Sequence, residues 1–96
     1  MYDRVLHRLR RLVEAGSFVV TLHALDEMAE DDVLVEEAVD AVLLGSIVEA
    51  QTDQTTREKK FVVNGPDHAG RPLGVVVKIG ASGKLVVLTV YREELT

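Results

Sequence analysis

The sequence predicts an α+β domain, with three helices followed by a four-stranded antiparallel sheet. Three observations carry this. Apolar residues recur at helical spacing in three stretches before Gly45. After Gly45 the pattern changes to β-branched runs divided by Gly-, Pro- and Asn-containing turns. Helices and strands are therefore segregated along the chain, which favours an antiparallel sheet with helices packed on it. The whole chain, residues 1–96, is long enough for one core and reads as one domain.

The first helix spans Asp3 to Ala15. Val5, Leu6, Leu9, Leu12 and Val13 share its apolar side, and Arg4, Arg8 and Arg11 make a stripe elsewhere. Asp3 is placed to cap its start and Gly16 to end it. Ser17-Phe18-Val19-Val20 reads as a short apolar connection. Thr21 offers an N-cap hydroxyl for a second helix, Leu22 to about Glu30, with Leu22, Leu25, Met28 and Ala29 as its expected buried side. A third helix follows from Val35 to Leu44, with Ala38, Val39, Val42 and Leu43 inward and Glu36, Glu37 and Asp40 outward.

Ile47–Ala50 reads as a short strand, and Glu58–Asn64 as a second. The last third is a hairpin. Arg71–Ile79 and Lys84–Arg92 flank the turn Gly80-Ala81-Ser82-Gly83. Side chains alternate along a strand, so each run divides into two faces. Leu73, Val75, Val77 and Ile79 form one apolar set, and Phe61 and Val63 another. In the last strand the purely apolar set is Val86, Leu88 and Val90, expected under the helices. Leu85, Val87, Thr89 and Tyr91 are then expected on the open face. Lys60, Asn64 and Lys78 fall on that face too, with Arg57, Lys59 and Arg92 around it.

Charge is unevenly distributed. The formal total is -5. Asp26 to Asp53 holds ten acidic residues and no Lys or Arg, while Arg57 to Arg92 holds seven basic residues against two acidic. Such asymmetry bears on partners more than the total does. Cysteine is absent, which excludes disulfides and thiolate metal sites. Three dispersed histidines do not make a zinc cluster. There is no P-loop and no nucleophile-elbow serine, so no cofactor is expected. No apolar run spans a bilayer and the N-terminus lacks a secretory h-region, so a cytoplasmic location is expected.

His23-Ala24-Leu25-Asp26-Glu27-Met28 resembles the helix motif H-A-x-E-R-M. Gly45-Ser46-Ile47-Val48-Glu49 resembles G-x-I-V-E, Gly70-Arg71-Pro72-Leu73 resembles G-R-P-L, and Thr89-Val90-Tyr91-Arg92 resembles T-V-Y-R. Together, over residues 19–93, these are similar to a family of small bacterial domains of unknown function in the barnase–EndoU–colicin–RelE nuclease-like class. The Arg57-to-Gly83 pattern also resembles the subset found beside MqsA-like zinc-finger antitoxins. The resemblance implies a RelE-like fold and a RelE- or MqsR-like toxin, an endoribonuclease acting on messenger RNA and neutralised by a protein antitoxin. Two departures stand out: Glu27 where the motif usually has Arg, and Leu34 where a Ser or Thr cap is usual.

Metal-independent RNA cleavage needs a base for the 2′-hydroxyl, an acid for the leaving oxygen, and cations around the phosphate. Strand alternation, local positive charge and the resemblance together suggest catalytic roles for His23, Tyr91, Lys60 and Lys78, and RNA contacts from Arg57, Lys59, Asn64, Thr89 and Arg92. Each has a structural alternative. His23 is also placed to pair with Asp26 or Glu27 on its own helix. Tyr91 is also an aromatic that closes the core, and the cations are also a solvated face. The alternative function is a non-catalytic protein- or RNA-binding module on the same fold.

Overall fold

The computed structural model describes residues 1–93; residues 94–96 of the expected domain lie outside the described residues. The elements run α1 (Asp3–Glu14), β1 (Phe18–Val20), α2 (Leu22–Glu30), α3 (Val35–Leu44), β2 (Ser46–Thr52), β3 (Lys59–Pro66), β4 (Pro72–Ile79) and β5 (Leu85–Arg92). The sheet has five strands, ordered β1-β5-β4-β3-β2. β2, β3, β4 and β5 pair antiparallel as a meander. β1 pairs with β5 in parallel, Phe18 opposite Leu85 and Val20 opposite Val87. The expected four-stranded antiparallel sheet is thus corrected to a five-stranded mixed one. Three residues are too few to display an alternation, and pairing with β5 makes this segment a strand.

All three helices pack on one face. Leu9 and Val13 of α1, Ala24 and Met28 of α2, and Ala38, Ala41 and Val42 of α3 meet Phe61, Val63, Leu73, Val75, Val77, Leu85, Val87 and Val90. Gly65 lets α3 approach β3 closely, since a Cβ there would lie 2.2 Å from the Ala41 carbonyl oxygen. The opposite face of the sheet carries no helix among the described residues.

The β5 assignment changes as well. Leu85 and Val87 are fully buried, not Val86 and Leu88; only Val90 is on the expected side. The cause is a β-bulge. Val77 pairs with Val87 and Val76 with Thr89, so Leu88 is an extra residue. One inserted residue reverses the parity of everything on one side of it. A second bulge lies between Ile47 and Glu49 of β2.

Three helix readings are corrected in the same way. Asp3 lies in the first turn of α1, whose N-cap is Tyr2 without a side-chain bond. In α2 the buried residues are Ala24 and Met28, while Leu22 is 80% exposed and Leu25 39%. In α3, Glu37 is buried rather than outward. Its Oε1 accepts the Leu34 N–H at 3.0 Å and its Oε2 the His68 N–H at 2.9 Å. That carboxylate supplies a start to α3 which Leu34 itself lacks, and these two backbone bonds hold it below the usual carboxylate range.

Thr21 caps α2 as expected, accepting from Ala24 N at 3.1 Å, and its hydroxyl donates to the Leu88 carbonyl at 3.3 Å. α2 then runs along the exposed edge of β5 beyond the end of β1. There the Val90 N–H donates to Glu27 Oε1 at 3.1 Å. A carboxylate thus occupies an edge position that an incoming strand would otherwise satisfy.

Candidate nucleic-acid interface

The pairing register arranges the uncovered face as three rungs. One contains Gln51, Lys60, Lys78 and Val86; Lys60 and Lys78 lie one step beyond the Phe61–Val77 pair. The next contains Glu49, Val62, Val76 and Thr89. The third contains Ser46, Asn64, Gly74 and Tyr91. Lys60, Lys78, Asn64, Thr89 and Tyr91 therefore share one surface, brought there by strand alternation and, in β5, by the bulge at Leu88.

Lys60 and Lys78 stand side by side on adjacent strands. Like charges directly opposite each other destabilise a sheet unless an anion is shared. Part of that compensation comes from the loop before β3, where Lys78 Nζ meets Glu58 Oε2 at 2.9 Å. Asp53 Oδ1 shapes this loop by accepting Thr55 N at 2.8 Å and Thr56 N at 3.0 Å. These bonds, with Lys60 nearby, hold the Asp53 carboxylate below its ordinary range. Arg57 lies in the same loop with φ 63° and is exposed. Lys59 opens β3, exposed and paired with Thr52, and by alternation it points away from the lysine rung.

Tyr91 lies across the sheet over Gly74, two rungs from the lysines. Four residues of strand separate these rungs by roughly 13 Å. The lysine pair and the tyrosine are thus suited to neighbouring parts of an extended ligand. Burial pushes the Tyr91 phenol up from its ordinary value, and the carboxylates of Glu93 and Glu49 add to this. At neutral pH the phenol keeps its proton, so it can donate a hydrogen bond or stack but cannot serve as a base. Asn64 Nδ2 donates to Glu93 Oε2 at 2.9 Å. Among the described residues, Thr89 has no side-chain hydrogen bond.

Two expected members of the site stand elsewhere. His23 is on α2, outside the β5 edge, with its side chain 70% exposed and Nε2 3.4 Å from Glu27 Oε1. Among the described residues no hydrogen bond or ion pair joins it to Lys60, Lys78 or Tyr91. The expectation that it reaches the open face is corrected: α2 packs on the other layer, and Glu27 ties the helix to the edge of β5. Arg92 shares the parity of Val90 and lies on the helix side rather than at the rim. Its Nη1 donates to Asp67 Oδ2 at 2.8 Å and its Nε to the Asp31 carbonyl at 3.1 Å.

The Arg92–Asp67 pair belongs to a polar cluster which sequence reasoning missed. Asp67 is 4% exposed. Besides Arg92, its Oδ1 accepts Ala69 N at 2.9 Å and Arg71 N at 2.8 Å, and Arg71 Nε lies 3.3 Å from Oδ2. The Arg92 hydrogen bond, helped by the Arg71 and Ala69 N–H groups, outweighs burial and holds Asp67 at about 2. The neighbouring His68 pairs through Nε2 with Asp40 Oδ2 at 2.9 Å, which raises its pKa against a smaller opposing effect of burial. The available signal was local: an Asp two and four residues before N–H groups in a Gly/Pro turn is a turn-building carboxylate. The distant partners Glu37, Asp40 and Arg92 carry no such signal.

The fold and the face define a two-layer α+β domain whose meander sheet is open on a side bearing paired lysines and a tyrosine. The domain of unknown function DUF4258 matches residues 20–92, and the chain belongs to that family. No curated protein and no solved structure matches it. No helix among the described residues is long and apolar enough to cross a membrane.

Proposed function

We propose that this domain is the toxin of a toxin–antitoxin pair, a RelE- or MqsR-like endoribonuclease that takes single-stranded messenger RNA on the open face of its sheet. The observation that supports this best is the placement of Lys60 and Lys78, each one step past the Phe61–Val77 pair on adjacent strands, on a face that no helix among the described residues covers. The lysines hold a phosphate and stabilise the charge that builds on it as the 2′-oxygen, its proton passing to solvent water, attacks phosphorus and the 5′-oxygen leaves, taking a proton from water. Tyr91 stacks on a neighbouring base. With His23 outside the face, this scheme draws on charge stabilisation and positioning rather than on an imidazole pair. The test is incubation of purified protein with RNA in the presence of a chelator. Cleavage leaving 2′,3′-cyclic phosphate ends, lost in Lys60→Gln/Lys78→Gln, supports the reading; intact RNA at saturating protein refutes it.

A second reading, a non-catalytic RNA-binding module, is favoured by one specific arrangement. Lys78 is engaged by Glu58, and the histidine of the resembling motif is turned away from the face. In that case the same RNA is bound, remains intact, and induction of the chain leaves growth unaffected.

A further inference from the structure

We infer that the outward side of α2 is a docking surface for a basic amphipathic segment of a partner protein. The apolar residues of α2 form one continuous arc of roughly 160°, and the core covers only part of it. Ala24 and Met28 are buried in the core. At about 100° per residue, Leu25, Ala29 and Leu22 lie together within an arc of roughly 60° that adjoins Met28 on the flank of the helix. All three are exposed, Leu22 by 80%.

The chemistry of the partner follows from what borders this stripe. Asp26 and Glu30 are exposed and continue the same arc immediately beyond Leu22, with His23 next to them. Asp31 and Asp32 at the end of the helix, and Glu36 at the start of α3, are exposed as well. From Asp26 to Asp53 the chain has no Lys or Arg. An apolar row with an acidic row along one flank is complementary to a helix whose apolar row is flanked by lysines or arginines. A symmetric contact between two copies through this side would set Asp26 and Glu30 against their own images, which like charge opposes. The inference rests on the toxin–antitoxin reading only in expecting a protein partner, and it concerns the layer opposite the lysine rung.

The test is a fluorescence-anisotropy titration of the full chain with two short synthetic helical peptides sharing one leucine row, the first flanked by lysines and the second by glutamates. The lysine peptide is expected to bind and the glutamate peptide not. Leu22→Ser/Leu25→Ser should weaken binding by about 10-fold or more, as loss of central apolar anchors does. Asp26→Lys/Glu30→Lys should invert the preference toward the glutamate peptide. Both double variants alter exposed positions, and RNA binding by the sheet face should be unchanged in Leu22→Ser/Leu25→Ser, which leaves the charge as it is. Equal binding of the two peptides, or no effect of either double variant, overturns the inference. So does a native dimer, measured by light scattering, that Leu22→Ser/Leu25→Ser makes monomeric, since the occupant is then a second copy. Failure of the peptide titration while RNA is still bound rejects the docking surface and leaves the RNA reading standing.

Discussion

Tyr91 lies directly over Gly74: a Cβ built at position 74 would stand 2.2 Å from the Tyr91 Cζ. The glycine is the space that lets the ring lie across β4 instead of projecting from the sheet. Gly74→Ala should therefore displace the ring. The expected cost is about 1–3 kcal/mol of stability, as for other overpacked sites. RNA affinity should fall in parallel with that of Tyr91→Ala, which loses about 1–3 kcal/mol if a base stacks there. Isothermal titration with single-stranded RNA checks both; wild-type affinity in a folded Gly74→Ala variant would separate the ring from binding.

Glu27 has a structural task that the motif resemblance alone obscures. Its carboxylate accepts the N–H of Val90, a residue 1% exposed where β5 runs past its pairing with β1. Glu27→Ala should lower stability by about 1–2 kcal/mol by leaving that donor unpaired. Glu27→Gln keeps an acceptor and should cost less. Denaturant melts of the two variants compare them directly, and equal midpoints would mean that the edge bond contributes nothing.

Burial along β5 predicts a sharp asymmetry between neighbours. Leu85→Asp or Val87→Asp places an unpaired charge in the core and should prevent soluble folding. Val86→Asp points toward the Lys78 rung and should leave the fold intact. Expression and circular dichroism of the three variants decide it.

The bulge at Leu88 is the reason the sequence suggests the opposite asymmetry. Simple alternation groups Val86, Leu88 and Val90, and nothing in L-V-V-L-T-V marks which residue is supernumerary. Where no bulge intervenes, in β3 and β4, alternation correctly assigns Phe61, Val63, Leu73, Val75 and Val77 to the core. It also puts Lys60, Asn64 and Lys78 on the open face. The three helices are legible from spacing, and Thr21 from its capping chemistry. β1 is not, because three residues become a strand only by pairing with a segment more than sixty residues away. Arg92 and Asp67 are illegible as partners for the same reason.

The His68–Asp40 pair should give stability a dependence on pH near neutrality. A raised His68 pKa stabilises the folded state fully below the ordinary histidine value, and this contribution is lost as pH rises through the folded value. Melting temperature should therefore decline over that window in the native protein and less in Asp40→Asn. The Asp67 carboxylate acts at the other end. Held at about 2, it stabilises above the ordinary aspartate value, and that contribution is lost as pH falls toward 2. Asp67→Asn should flatten the acid limb of the same profile.

The most direct test of the open sheet face is the salt dependence of its affinity for single-stranded RNA, native chain against Lys60→Gln/Lys78→Gln, with folding verified in both. Removing one lysine–phosphate ion pair should reduce the slope of log K against log salt by about 0.7. The expected result is a weaker, flatter line for the lysine variant, while Arg92→Gln, altered on the helix side, keeps the native slope. Coincident lines for the native chain and the lysine variant would contradict RNA binding at this face.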